Sequence, residues 1–377
     1  MNIPKLRFKD NNGNDYPQWE KKKLGDIVQF LDNKRKPLEQ SERIHGKYPY
    51  YGASGIIDYI NNYIFDEELV LLSEDGANII DRNYPICYIA TGKYWVNNHA
   101  HVLKTKSQYL NKFLCEALER LNYNKYNTGT AQPKLNQDIC KNILLNIPIL
   151  HEQEKIANFF STIDKKIKNL ANTITSLENQ KKGFLQQILS QKLRFKDKNG
   201  NNYPNWKKKK LGDLFTIKAG GDINKENFSE QYSIEFKYPV YANALTNNGL
   251  YGYSNIYKID KPSITVTGRG INVGFALSRE PFYYPIVRLL VLIPNININF
   301  TFFTESINFI HIFNESTGVP QLTAPQLSKV NVYVPNIEEQ NKIGNLFDKL
   351  NEKIDNKKAQ LEHWQQIKKG LLQQMFV

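Results

Sequence analysis

The chain has 377 residues, 41% apolar and 23% charged, which is the profile of a water-soluble globular protein of two or three domains. No run approaches ~18 consecutive apolar residues, excluding a spanning helix, and residues 1–10 lack the apolar centre of a signal peptide, so a cytoplasmic location is expected. Fifty Lys and Arg against 37 Asp and Glu give a net charge of +13, which suits a polyanion such as nucleic acid, although a chain so rich in Asn, Ile, Lys and Tyr could owe that charge to composition alone.

In chain order, residues 55–60, 69–72 and 86–90 read as strands. Cys87, Cys115 and Cys140 form no C-x-x-C pair, which argues against a disulfide framework or a cysteine zinc site. His99-Ala100-His101 offers two strand-spaced imidazoles with no evident third ligand, so a structural or surface role is expected rather than a metal. Ser107 is expected to cap a helix whose apolar face is Leu110, Phe113, Leu114, Ala117 and Leu121. From Ile156 onward, Phe160, Ile163, Ile167, Leu170, Ile174, Leu177, Phe184 and Ile188 alternate steps of four and three, a heptad stripe interrupted by Lys181. In the second half, residues 263–267 and 286–293 are strand candidates. Between them, Gly268-Arg269-Gly270 and Gly274 superficially suggest a dinucleotide loop. The third glycine comes one residue too late and no helical pattern follows, so the segment reads as a turn beside a strand. A second stripe runs through Ile343, Phe347, Leu350, Ile354, Leu361, Trp364, Leu371 and Met375, interrupted by Lys357 and Lys368.

The two stripes belong to a duplication. Leu6-Arg7-Phe8-Lys9-Asp10 returns as Leu193-Arg194-Phe195-Lys196-Asp197, and Trp19 returns as Trp206. Lys23-Leu24-Gly25-Asp26 returns as Lys210-Leu211-Gly212-Asp213, Glu152-Gln153 as Glu339-Gln340, and Lys181 as Lys368, each 187 residues on. Between these matched ends the similarity fades, with Thr128-Gly129 only loosely echoed by Thr317-Gly318. Each repeat is thus a divergent body between well-matched ends, as a common scaffold with two different reading surfaces would be. Each tail of ~35–40 residues would span roughly 55–60 Å as a helix. At ~0.8 kcal/mol per CH₂ its stripe must be buried. Antiparallel pairing of the two tails within one chain is expected, with intermolecular pairing the alternative.

No P-loop and no G-x-S-x-G elbow is present, so catalysis by this chain alone is not expected. Cations that could sit on phosphates are Lys34, Arg35, Lys36, Lys93, Lys104, Lys106, Lys125 and Lys134 in the first body, and Lys218, Lys225, Lys237, Arg269 and Arg279 in the second. A plain solvated surface is the alternative for each. The duplicated runs Lys21-Lys22-Lys23 and Lys207-Lys208-Lys209-Lys210 lie in the matched frame, which points to phosphate contact, a partner common to both repeats, or a solvated face.

The doubled order of Trp-x(4)-Leu-Gly-Asp, divergent body, Thr-Gly segment, Pro-x(4)-Gln-x-Lys-Ile and long helix resembles the specificity subunit of type I restriction–modification enzymes, over nearly the whole chain. The resemblance implies an α+β fold with two pseudo-symmetric mixed α/β target recognition domains joined by two long antiparallel coiled-coil helices. The boundaries would be 1–150 for the first recognition domain with its N-terminal frame and 151–190 for the central helix. The second recognition domain would span 191–336 and the C-terminal helix 337–377. Each domain would read one half of a bipartite, asymmetric double-stranded DNA target, and the helices would fix the gap. The implied partners are two adenine methyltransferase subunits using S-adenosylmethionine and motor-nuclease subunits using ATP and Mg, with no cofactor in this chain and no membrane. By the family's Thr-Gly segment, Thr128, Gly129, Gln132 and Lys134, and Thr317, Gly318 and Gln321, would lie near DNA. The second copy lacks the Lys and has Thr323 nearby, which leaves that residue's role open. An orphan DNA-binding scaffold, a stand-alone nuclease and a homodimeric coiled-coil adaptor are the competing readings.

Overall fold

The computed structural model describes residues 4–105, 108–270, 272–310 and 321–376. The chain divides into two compact units, one formed by residues 1–171 with 359–377 and the other by residues 172–358.

In the first unit a four-stranded sheet runs in the order Val28–Phe30, Ala100–Thr105, Leu69–Ser73, Cys87–Ala90, antiparallel throughout. Leu69–Ser73 is buried along its whole length because both faces of the sheet are covered. Val70 and Leu72 join a core with Phe113 and Leu114, whereas Leu69 and Leu71 join another with Tyr94, Val96 and Val102. That two-sided burial is why the segment reads as an unbroken apolar run rather than an alternating one. The helix Gln108–Arg120 lays Phe113, Leu114 and Ala117 into the core, as its periodicity requires. Its expected cap, Ser107, lies outside the described residues. A smaller sheet pairs the hairpin His45–Gly52 and Gly55–Ile60 with Lys93–Val96, which runs parallel to the first of them, and adds Phe65–Asp66 at the edge.

The second unit repeats the larger sheet in the same spatial order, Phe215–Ala219, Leu290–Pro294, Ser263–Val266, Ala276–Arg279, and covers it with the helix Phe300–Phe309. Its smaller sheet keeps the hairpin Tyr238–Tyr241 and Leu250–Ser254 with the parallel strand Tyr284–Pro285. The segment after the hairpin keeps its edge, Ile259 bridging Tyr283 antiparallel as Phe65 pairs with Tyr94, and the second unit adds a strand from ahead of the hairpin at the opposite edge. That added strand, Phe228–Ser229, pairs with the hairpin.

One strand expectation needs correcting. Residues 286–293 are not continuous: Val287 and Arg288 take left-handed backbone, with φ of 51° and 58°. Tyr284–Pro285 belongs to the smaller sheet and Leu290–Pro294 to the larger. The chain must change sheets between them, and the turn makes that change at the cost of a β-branched residue at positive φ.

The heptad stripes form helices Leu150–Leu189 and Ile337–Met375, of 40 and 39 residues. In the first unit Phe160 meets Phe376, with ring centroids 6.0 Å apart, and Asp164 meets Lys368 at 2.8 Å. In the second, Glu178 meets Lys358 at 2.8 Å, and Ile188 shares a core with Phe347 and Leu350. In each unit a step up one helix is a step down the other, so the pairing is antiparallel. None of the helices among the described residues is long and apolar enough to cross a membrane.

Candidate nucleic-acid interface

Each body is closed at its base by residues from the matched ends. Arg7 donates from Nε to Glu152 Oε1 at 2.9 Å and from Nη2 to Oε2 at 2.6 Å, while Trp19 Nε1 donates to Oε2 at 3.1 Å. Arg194, Trp206 and Glu339 repeat this at 3.2, 2.7 and 3.0 Å. Both glutamates are fully buried, and a bidentate guanidinium with an indole N–H satisfies a buried carboxylate well. Lys155 caps the carbonyl of Lys9, and Lys342 that of Lys196. In the Leu-Gly-Asp motif, a Cβ on Gly25 would lie 3.1 Å from the Lys141 side chain, and one on Gly212 2.9 Å from Ser328. Glycine here lets one short helical turn approach another. Much of the matched sequence is therefore an internal clasp.

The lysine runs are the exception. Glu20–Lys23 and Lys207–Lys210 are exposed strands paired antiparallel with Leu144–Ile147 and Asn331–Val334. Lys21–Lys23 recur as Lys208–Lys210, so three exposed cations are presented twice, while Lys207 stands where the first strand has Glu20.

In the first body the Thr-Gly segment forms a closed loop. Thr128 N donates to Lys134 O at 2.9 Å, and Asn127 Oδ1 accepts from Gly129 N at 3.0 Å and Lys134 N at 2.8 Å. A Cβ on Gly129 would fall 1.7 Å from the Gln132 carbonyl oxygen, so no other residue fits this turn. Thr128, Gln132 and Lys134 are exposed. The loop is anchored inward at its end: Leu135 N donates to Glu74 O at 2.7 Å, and Leu135 O accepts from His101 Nε2 at 2.7 Å.

That anchor belongs to a polar network that sequence reading missed. His101 Nδ1 lies 2.7 Å from Asp32 Oδ2, which also accepts from Gln137 Nε2 at 2.8 Å. Arg35 Nη1 donates to Glu74 Oε2 at 2.6 Å and Ala100 O at 2.8 Å, and Lys134 Nζ lies 3.5 Å from Glu74 Oε1. Both ring nitrogens of His101 face acceptors, so the ring is an imidazolium. Burial opposes that charge, but the hydrogen bond to Asp32 prevails and its pKa is pushed up to about 10. Burial alone would raise Asp32; the bond from His101 and the charges of His101 and Arg35 bring it below the usual carboxylate range. Asp32, Glu74 and His101 bring ligand atoms within 4.8 Å of one another. The two carboxylates face His101, Arg35 and Lys134. The sequence pairs His99 with His101 and offers no third ligand; the fold instead sets Asp32 and Glu74 beside His101, with His99 on Asp75. No sequence spacing links Asp32, Glu74, His101 and Gln137; only the fold brings them together.

The candidate cations separate accordingly. Arg35 is bound internally, whereas Lys34 and Lys36 on either side of it are exposed. Lys134 joins Arg35 through Glu74. Lys106 lies outside the described residues. Lys125 lies over the Tyr126 ring just ahead of the loop, and Lys93 over Tyr63 beside Asp66, outside this network.

In the second body Thr317 and Gly318 lie outside the described residues. The end of the loop is described. Arg269 and Gln321 form an isolated antiparallel bridge where the first body has Asp75 and Lys134, and Leu322 N donates to Gly268 O as Leu135 N does to Glu74 O. Gln321 thus takes the place of Lys134. Thr323 caps the helix Ala324–Ser328, its hydroxyl accepting from Gln326 N. Arg279, a candidate for phosphate contact on sequence, is instead buried, donating to Thr265 Oγ1 at 2.9 Å and Asn248 O at 2.7 Å and stacked 3.8 Å from the Tyr241 ring. Lys218 on Phe215–Ala219 and Lys225 on the turn Lys225–Asn227 are exposed and apart from the bridge.

The family model for the type I restriction modification DNA specificity domain matches residues 16–179 and again 203–364. A Mycoplasma pneumoniae protein named as a type I specificity subunit is 27% identical over 87% of this chain and 88% of its own. The specificity subunit of a type I restriction enzyme from Methanocaldococcus jannaschii is 22% identical over 97% and 94%. The crystal structure of the type I restriction–modification S subunit from M. genitalium superimposes with a TM-score of 0.71 at 19% identity, covering 100% of this chain and 99% of that one. With one copy of the domain in each repeat, the chain belongs to the type I restriction–modification DNA specificity family and is a specificity subunit with two recognition domains.

Proposed function

We propose that this chain selects the DNA on which a type I restriction–modification assembly acts, each body reading one half of a split, asymmetric duplex target. The paired helices set the gap between the halves, since a stiff rod preserves a separation that a flexible linker would not. Two modification subunits carrying adenine methyl transfer with S-adenosylmethionine dock on the duplicated frame, which offers one surface twice. Motor-nuclease subunits using ATP and magnesium complete the assembly, and this chain performs no catalytic step. The observation that carries the reading is one clasp and one sheet order built twice around different polar chemistry: Asp32, Arg35, Glu74 and His101 in one body, Arg269, Arg279 and Gln321 in the other. Exposed loop cations on a chain of net charge +13 suit phosphate contact, and Lys, Arg and Gln suit base edges.

The test is to insert one heptad into each helix and map methylated sites made with the modification subunits. The inserted rise is about 10 Å, or about three base pairs. The gap should lengthen by that amount with both half-sites unchanged. Altered half-sites with the old gap would refute the reading.

A further inference from the structure

The lysine that interrupts both stripes at the matched position, Lys181 and Lys368, has a partner that the two-reader model does not require. In the first unit Lys368, from the C-terminal helix, places Nζ 2.9 Å from Glu116 Oε1 and 2.8 Å from Asp164 Oδ1. Lys112 also contacts both acids. Glu116 lies on the helix that covers the first body's sheet and is 2% exposed. In the second unit Lys181, from the central helix, lies 2.6 Å from Glu305 Oε1, and Asn351 Nδ2 donates to the same oxygen at 3.4 Å. Glu305 lies on the covering helix of the second body and is 7% exposed. The two clusters correspond: Lys181 with Lys368, Glu116 with Glu305, Asp164 with Asn351. Where the first holds Lys112, the second has Thr301, which bonds Asp348 instead. The loss of one acid is thus matched by the loss of one base, and both clusters remain neutral.

The tail of the second repeat therefore carries the cation for the first body, and the tail of the first repeat carries the cation for the second. Each buried acid sits on the helix that backs the reading sheet. From this crossed pattern we infer that Lys368 is a positioning residue for reading by the first body and Lys181 for reading by the second. A buried ion pair specifies register and orientation better than it adds stability. Each pair fixes how a covering helix seats on the long helices, and hence how its sheet and loops meet DNA. The inference rests on the two-reader proposal.

The test uses the full chain with its modification subunits and maps methylation over DNA in which each half-site is degenerate. Exchanging residues 27–147 for another such body first shows which half-site belongs to which body; if both half-sites change, the two-reader proposal itself fails. Given one half-site per body, Lys368→Met should erode discrimination at the first body's half-site by about tenfold or more and leave the other within about twofold. Lys181→Met should do the reverse. Lys181→Glu should be worse than Lys181→Met, and Lys181→Glu with Glu305→Lys should restore the second half-site. Thermal unfolding of each variant separates lost reading from lost folding, and the exchanged pair keeps the test open if the single variants unfold. Equal erosion of both half-sites, loss at the half-site on the same repeat, or no change in either would overturn the inference.

Discussion

At Glu152 and at Glu339 the same three side chains meet with nearly the same distances, yet inside the bodies that these clasps close the order of the larger sheet is kept while the buried polar chemistry differs. The first body centres on an imidazolium between Asp32 and a loop carbonyl; the second buries Arg279 against Tyr241. The smaller sheet of the second body gains an edge strand, Phe228–Ser229, with no counterpart among the described residues of the first. The difference shows what the duplication had to keep. A buried glutamate cannot lose its arginine without stranding a charge, so the closing residues are constrained together. Loop ends and sheet edges carry no such debt and can change their chemistry, which lets one scaffold hold two unlike surfaces.

The largest effect should come from breaking a clasp. Arg7→Met and Arg194→Met each strand a fully buried carboxylate, and each should cost about 3–5 kcal/mol in denaturant unfolding of its own unit. Costs that differ widely between the two would show that the clasps are not equivalent. Next comes His101, for which the second body offers no counterpart among the described residues. Its folded pKa of about 10 stands above the ordinary 6.5, so its contribution is full below pH 6.5 and fades as pH rises toward 10. The stability advantage of the native chain over His101→Gln should shrink by about 2–4 kcal/mol across that window. A constant difference would mean that the ring is neutral. Gly129→Ala should force the loop open at a cost of about 1–3 kcal/mol, weakening recognition by the first body alone, as read from methylation at each half-site. The smallest effect is the most general: replacing Lys34 or Lys134 with Ala should lower the salt slope of DNA binding by about one unit each, with little change in sequence preference. An unchanged slope would place those lysines away from phosphate.

The long helices were legible in the sequence because heptad periodicity survives whatever packs on it, and the stripe positions are buried or half-buried along both helices. The central strands were legible as apolar runs. The break at Val287 and Arg288 was not, because local composition favours a strand and only the need to change sheets overrides it. The clasp residues were visible as repeats, but the repeat alone could not tell an internal bond from a docking surface. The His101 network had no sequence signature at all, since its members lie on four separate segments joined by tertiary contacts.

The central claim is that each body reads its own half of the target independently of the other. It is tested most directly by exchanging residues 27–147 for the body of a relative with a different target and sequencing the sites methylated by the assembled complex. The account predicts one half-site replaced, with the other half-site and the gap retained. A change in both half-sites would contradict it.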